Sequence, residues 1–143
     1  MSSVTEVLAL SLALCALAAC SGKRSFEAPV LLGGRSVPAG VLNRGELVYM
    51  RACRGCHGQR GRGDGPYAST ASVRPRDLTA GRYPRTAPRG GLPSDEALHR
   101  IVREGIEGTP MRPQRLSDPD REAVVQYVKT LAPIWRAPPQ LVQ

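Results

Sequence analysis

Cysteine and histidine are scarce in this chain, yet three of these residues fall within one short run, Cys53-Arg54-Gly55-Cys56-His57. On a helical turn, positions i, i+3 and i+4 share one face. Cys53, Cys56 and His57 therefore project to the same side. Cys-x-x-Cys-His is the attachment signature of c-type haem. Its two thiols can form thioethers with the two vinyl groups of one porphyrin, and the imidazole can supply an axial nitrogen to the iron. Gly55 and Gly58 leave room for a flat macrocycle against the backbone. Two other chemistries use Cys-x-x-Cys: a redox dithiol and half of a zinc site. The dithiol wants a βαβ context, which the flanking sequence lacks. Zinc wants four ligands, and beyond the run only His99 and Cys20 remain as mature candidates. Adjacent Cys56 and His57 would also sit awkwardly on one small ion.

A second iron ligand is offered by Met111 in Gly105-Ile-Glu-Gly-Thr-Pro-Met-Arg-Pro113. Prolines 110 and 113 bracket it, which stiffens the backbone and aims the thioether. Met50 lies on the attachment segment itself and cannot serve the opposite side of a ring. His99 falls off the apolar stripe of its own helix and reads as a surface histidine. Arg76, Arg82 and Tyr83, in a loop-like stretch, can donate to haem propionates, arginine being suited to a carboxylate fork.

The 143 residues bound the chain to one domain with short appendages. Aromatics make up only 4% and apolar residues 41%, which is thin for the core of a small domain. A covalent porphyrin would supply the missing apolar bulk. The formal charge is +8, and apart from Lys23 and Lys129 every basic residue is arginine. Such a charge suits an acidic partner face or an anionic surface, or simply a solvated exterior. The basic residues are scattered and lack interleaved aromatics that could stack bases, so no nucleic-acid partner is expected.

Val7–Ala19 is an uncharged apolar run, too short to span a bilayer but suited to the core of a signal peptide. It ends in Leu17-Ala18-Ala19-Cys20, which resembles a bacterial lipobox, where cleavage precedes the cysteine and the cysteine carries lipid. Met1–Glu6 lacks the usual basic residues. Cleavage at Ala16–Ala18 and an uncleaved anchor remain alternatives. The expected organisation is a signal peptide over 1–19, a lipidated tether over 20–41, a domain over 42–133 and a tail over 134–143. After cleavage and lipidation only Cys53 and Cys56 remain as thiols, which excludes a disulfide framework.

Within the domain, Asn43 and Glu46 have the form of a capping box at the start of a first helix. Gly45 and Tyr49 invite a close helix crossing. The glycines of Gln59–Pro66 lack the context of a phosphate-binding loop and read as a tight turn along the haem edge. Ser94 caps a helix carrying Leu98, Ile101 and Val102, which Gly105 terminates. Asp118 caps the last helix, with Pro119 in its first turn and Val124, Tyr127, Val128 and Leu131 as a buried stripe. Trp135 in the tail is expected to fold back on the domain.

Residues 42–133 resemble a single-haem class I cytochrome c. The likeness rests on the Gly45/Tyr49 helix leading into Cys53–His57, on Gly63-Asp-Gly-Pro66, on Pro75-Arg-Asp-Leu-Thr79, on Leu92-Pro-Ser-Asp95, on Gly105–Met111 and on the terminal helix with Tyr127. The resemblance implies an all-α fold whose first and last helices cross around one covalent haem, with long irregular loops. It implies thioethers at Cys53 and Cys56, axial ligation by His57 and Met111, and a proline carbonyl, from Pro66 or Pro75, orienting His57. The chain departs from the family at Arg112, where proline often follows the ligand methionine.

The function expected is that of a one-electron carrier rather than an enzyme, free or as a subunit of an oxidoreductase complex. It would work outside the cytoplasm, lipid-anchored to a bacterial membrane and facing the periplasm, between redox partners with acidic docking faces. The alternatives are a haem enzyme or gas sensor with an open sixth site, and a zinc or dithiol protein. No paired-carboxylate or nucleophile motif is present.

Overall fold

In the computed structural model, which describes residues 25–85, 87 and 91–136, helix α1 (Ala39–Ala52) packs against helix α4 (Asp118–Thr130). They meet at Gly45, where a Cβ would overlap the Ala123 carbonyl and the Tyr127 side chain. Only glycine lets the two backbones approach this closely. Leu42, Val48 and Tyr49 of α1 pack with Val124, Val125 and Tyr127 of α4, all buried. Tyr49 and Tyr127 stack at a tilt, their ring centres 5.2 Å apart. Burying each such aliphatic side chain contributes about 1.5–3 kcal/mol.

Helix α1 begins earlier than the capping pattern at Asn43 suggests. Pro38 occupies the N-cap position and no side chain caps the helix. Asn43 is consumed elsewhere: its carboxamide accepts from the Phe26 N–H at 3.0 Å and donates to the Phe26 carbonyl at 2.8 Å. The stretch read as a tether therefore folds onto the domain from Phe26 onward. Strands β1 (Val30–Leu32) and β2 (Arg35–Val37) pair antiparallel, Val30 opposite Val37. Gly33 and Gly34, at φ 58° and 82°, make the turn, the Gly-Gly solution for a two-residue hairpin. Leu32 and Val37 are buried beside Trp135, and the Gly33 N–H donates to the Trp135 carbonyl at 2.7 Å. Trp135, in the short 3-10 turn Pro133–Arg136, does fold back. The architecture is thus a helical core plus one small hairpin.

Two short helices complete it. Helix α2 (Arg54–His57) follows α1 after a break at Cys53. Helix α3 (Asp95–Glu104) packs on α4. Ser94 caps α3 by accepting from the Ala97 N–H, and Gly105 ends it at φ 75°. Ser117, not Asp118, caps α4, accepting from the Asp120 N–H at 3.3 Å. Pro119, without an N–H, is tolerated in the first turn.

Candidate haem site

The attachment turn is built by backbone bonds. The Cys53 N–H donates to Tyr49 O, and the His57 N–H donates to Cys53 O, both at 2.9 Å. The glycine loop then folds against the turn: Gly63, Gly65 and Tyr67 donate N–H groups to the carbonyls of His57, Cys56 and Gly55. A Cβ at Gly65 would strike the Arg54 and Gly55 backbone, and one at Gly63 the Pro75 carbonyl. Gly61, Gly63 and Gly65 line no part of the cavity described next. The loop buttresses the attachment turn instead of running along a cofactor edge. Tyr49 adds a further tie, its hydroxyl donating to Gly58 O at 2.8 Å.

His57 is aimed by one contact. Its Nδ1 lies 3.0 Å from the Arg76 carbonyl. A carbonyl only accepts, so Nδ1 carries the proton and Nε2 keeps its lone pair. The orienting carbonyl belongs to Arg76, not to Pro66 or Pro75; the Pro75 carbonyl is taken up against Gly63. Burial lowers the His57 pKa and so favours the neutral ring; the bond to the Arg76 carbonyl raises it and offsets this only in part.

Cys53, Cys56, His57 and Met111 line a single cavity of about 280 Å³, whose walls include Leu78, Leu98, Ile101, Val102, Val124 and Val128. Met111 comes from the loop after α3, which is folded tightly. The Met111 carbonyl accepts from the Ile106 N–H at 2.8 Å, and the Met111 N–H donates to Thr109 Oγ1 at 3.2 Å. Thr109 in turn donates to Ile106 O at 2.7 Å. Gly105 passes so close to the Met111 carbonyl that a Cβ would overlap it. Thr109 and Gly105 thus position Met111; sequence reasoning assigned neither that role.

Of the three side chains expected near propionates, Arg76 and Tyr83 line the cavity and Arg82 does not. Tyr83 is buried, and its hydroxyl accepts from Trp135 Nε1 at 3.3 Å. Arg74, Arg85 and Arg112 also line the cavity, and among the described residues no carboxylate does. Neither Met50 nor His99 reaches it; His99 Nε2 lies 2.8 Å from Glu122 Oε2, between α3 and α4. Cys20 and the signal-peptide stretch lie outside the described residues.

The donor set fits a covalently attached porphyrin better than the rival chemistries. A reactive dithiol needs a depressed thiol pKa, whereas burial, and then the neighbouring Cys56, push the Cys53 thiol up to about 11. Among the described residues no cluster of three or more His, Cys, Asp or Glu is arranged to hold a metal ion.

Comparison with known proteins agrees. No match was found among curated proteins. A chain of the reducing HAO-like protein complex of Kuenenia stuttgartiensis superposes with a TM-score of 0.61 at 35% identity, over 66% of this chain and 45% of that one. This protein thus matches less than half the length of that neighbour. Residues 40–128, from the first turn of α1 to Val128 in α4, match a family model. The chain belongs to the family described as cytochrome c oxidase, cbb3-type, subunit III, and carries a class I c-type cytochrome domain.

Proposed function

We propose that the protein is a one-electron carrier with a single covalent haem c, exported and held at a bacterial membrane through lipid on Cys20. The observation that carries this reading is the convergence of Cys53, Cys56, His57 and Met111 on one largely apolar cavity. When bound, such a haem supplies a ferrous/ferric couple, and His/Met ligation favours a relatively high potential. The chain's own residues do the rest. Cys53 and Cys56 would hold the macrocycle by thioethers. Arg76 O keeps the His57 ring in the tautomer that presents Nε2. Thr109 and Gly105 hold the backbone of Met111, which would supply the second iron ligand. If His57 and Met111 both ligate the iron, no site would be left for a substrate, which favours transfer over catalysis.

Arg74, Arg76, Arg85 and Arg112 lend the cavity surroundings positive charge, with no compensating carboxylate in its lining among the described residues. That supports redox partners with acidic docking faces. The neighbour in a redox complex is consistent with service as a subunit of a larger assembly.

Mass and visible spectra of the protein from its native membrane test this reading. The denatured chain is expected to retain one haem, and the ferric form to show a thioether-to-iron charge-transfer band that Met111→Ala abolishes. Carbon monoxide binding by the reduced wild type would instead favour an open-site enzyme or sensor. A colourless chain would end the haem reading altogether.

A further inference from the structure

Beyond the haem site, the exposed face of α1 carries a pattern that carrier function alone does not require. Arg44, Leu47 and Arg51 lie at i, i+3 and i+7, on one side of the helix, and all three are exposed. Leu47, at 73%, is the most exposed large hydrophobic residue among the described residues. Arg54, just past the end of the helix, extends the stripe and is also exposed. Arg44 Nε lies 2.8 Å from Asp120 Oδ1, and Arg51 4.0 Å from Oδ2 of the same carboxylate. One carboxylate is thus shared between two arginines, and the stripe keeps a positive surplus. Glu46 neighbours the stripe and Glu27 lies beside Phe26 in sequence, while Lys23 and Arg24 precede it.

Chain length says what covers this face. Phe26 is fixed to the domain twice, through both Asn43 hydrogen bonds and through an edge-on ring contact with Tyr127 at 6.2 Å. Asn43 and Leu47 are one helical turn apart on α1. From Cys20 to Phe26 there are six Cα steps, which span no more than about 21 Å fully extended. A domain of this size is roughly 33 Å across. A lipid on Cys20 therefore stays within about 21 Å of Phe26, less than one domain diameter, which favours the side of the domain that carries Asn43 and α1. No residue of 25–37 lines the haem cavity, so the short leash leaves from a different part of the surface.

We infer that the α1 face bearing Arg44, Leu47 and Arg51 rests on the anionic surface of the membrane that carries the lipid, holding the domain in one orientation with the cavity open to soluble partners. This rests on Cys20 being the lipidated residue. An apolar centre flanked by arginines suits the headgroup boundary, where each basic side chain adds to the attraction.

The test uses the full-length lipidated holoprotein in phosphatidylcholine vesicles with and without phosphatidylglycerol. Leu47→Cys places a single reactive thiol on the stripe, because Cys53 and Cys56 are in thioethers and Cys20 is acylated. Glu96→Cys, on α3 with its side chain 84% exposed, is the control. A water-soluble maleimide should label Leu47→Cys at least about tenfold more slowly on anionic vesicles than in detergent, and high salt should restore part of the rate. The control should differ by less than about twofold, as expected for an α3 site away from the headgroups. Equal labelling of both sites, on protein that still floats with the vesicles, would overturn the docking face and leave the lipid intact. Shielding that appears only when an acidic redox protein is added would overturn it in favour of a protein partner. Failure to float would remove the lipid anchor and this inference with it, while the haem spectrum would still report on the carrier.

Discussion

Helices α3 and α4 border two interiors of opposite character, the second open to solvent along its Arg35, Asp95 and Glu122 edge. On one side Leu98, Ile101, Val102, Val124 and Val128 line the haem cavity, which side chains alone leave unfilled. On the other, Lys129 is buried and bonded to Asp95 and Gln126, with its ammonium 5.1 Å from the Trp135 ring centre. Arg35 of the hairpin reaches Glu122 at 2.6 Å and Asp95 at 3.5 Å, and His99 closes on Glu122. Gln126 donates to both Asp95 and Glu122. The first interior is apolar and depends on something added. The second is charged and satisfied by the chain itself. It welds the N-terminal hairpin to the two helices, so stability and redox chemistry should be separable by mutation.

Removing the covalent attachment breaks the comparison most severely. An unfilled cavity of about 280 Å³ corresponds, at ~24 cal/mol per Å³, to at most about 7 kcal/mol, which rivals the whole stability of a small domain. The double variant Cys53→Ser/Cys56→Ser should therefore lose cooperative unfolding, measured by circular dichroism during urea titration. A cooperative transition like that of the haem-bearing protein would mean that the charged interior suffices to fold the chain.

The charged interior should fail differently. Asp95→Ala leaves Lys129 buried with only Gln126 and the Trp135 face, a loss of about 3 kcal/mol. Lys129→Met removes the charge with its burial cost, and Asp95 keeps Arg35 and Gln126; that variant should lie within about 1 kcal/mol of wild type. Urea midpoints give both numbers, and the visible spectrum should stay unchanged in each. A spectral shift in Asp95→Ala would show that the two interiors are coupled.

The sequence made the cavity readable and the charged interior almost invisible. Cys53, Cys56 and His57 announce themselves by spacing, and Met111 by elimination of Met50. The Gly45 crossing and the α3 stripe follow from periodicity. The second interior joins residues 35, 95, 99, 122, 126 and 129, drawn from three elements, and nothing local marks them as neighbours. The hairpin was missed because three-residue strands carry too little alternation to register. Asn43 misled because its side chain satisfies Phe26 through a long-range contact instead of its own helix. The carbonyl that orients His57 was legible only to within one residue: the resemblance pointed to Pro66 or Pro75, and the neighbouring Arg76 supplies it, because which carbonyl turns toward the ring depends on the loop's path.

The smallest expected effect concerns Glu122 and its dependence on pH. Burial raises its pKa, but hydrogen bonds from Arg35 and His99, the Arg35 charge and the Gln126 bond outweigh it and hold the carboxyl below its ordinary value of 4.5. A carboxylate depressed in the folded state stabilises above its unfolded pKa, and that stability is lost as pH falls through the folded value. The side chain is 41% exposed, so solvent screening keeps the contribution under about 1 kcal/mol. Glu122→Gln should therefore be slightly less stable than wild type at pH 7. The gap between their urea midpoints should close as pH is taken from about 5 toward 3. A gap that persists unchanged to the acid end would mean that Glu122 acts through packing and hydrogen-bond geometry, and that the second interior is held by shape more than by charge.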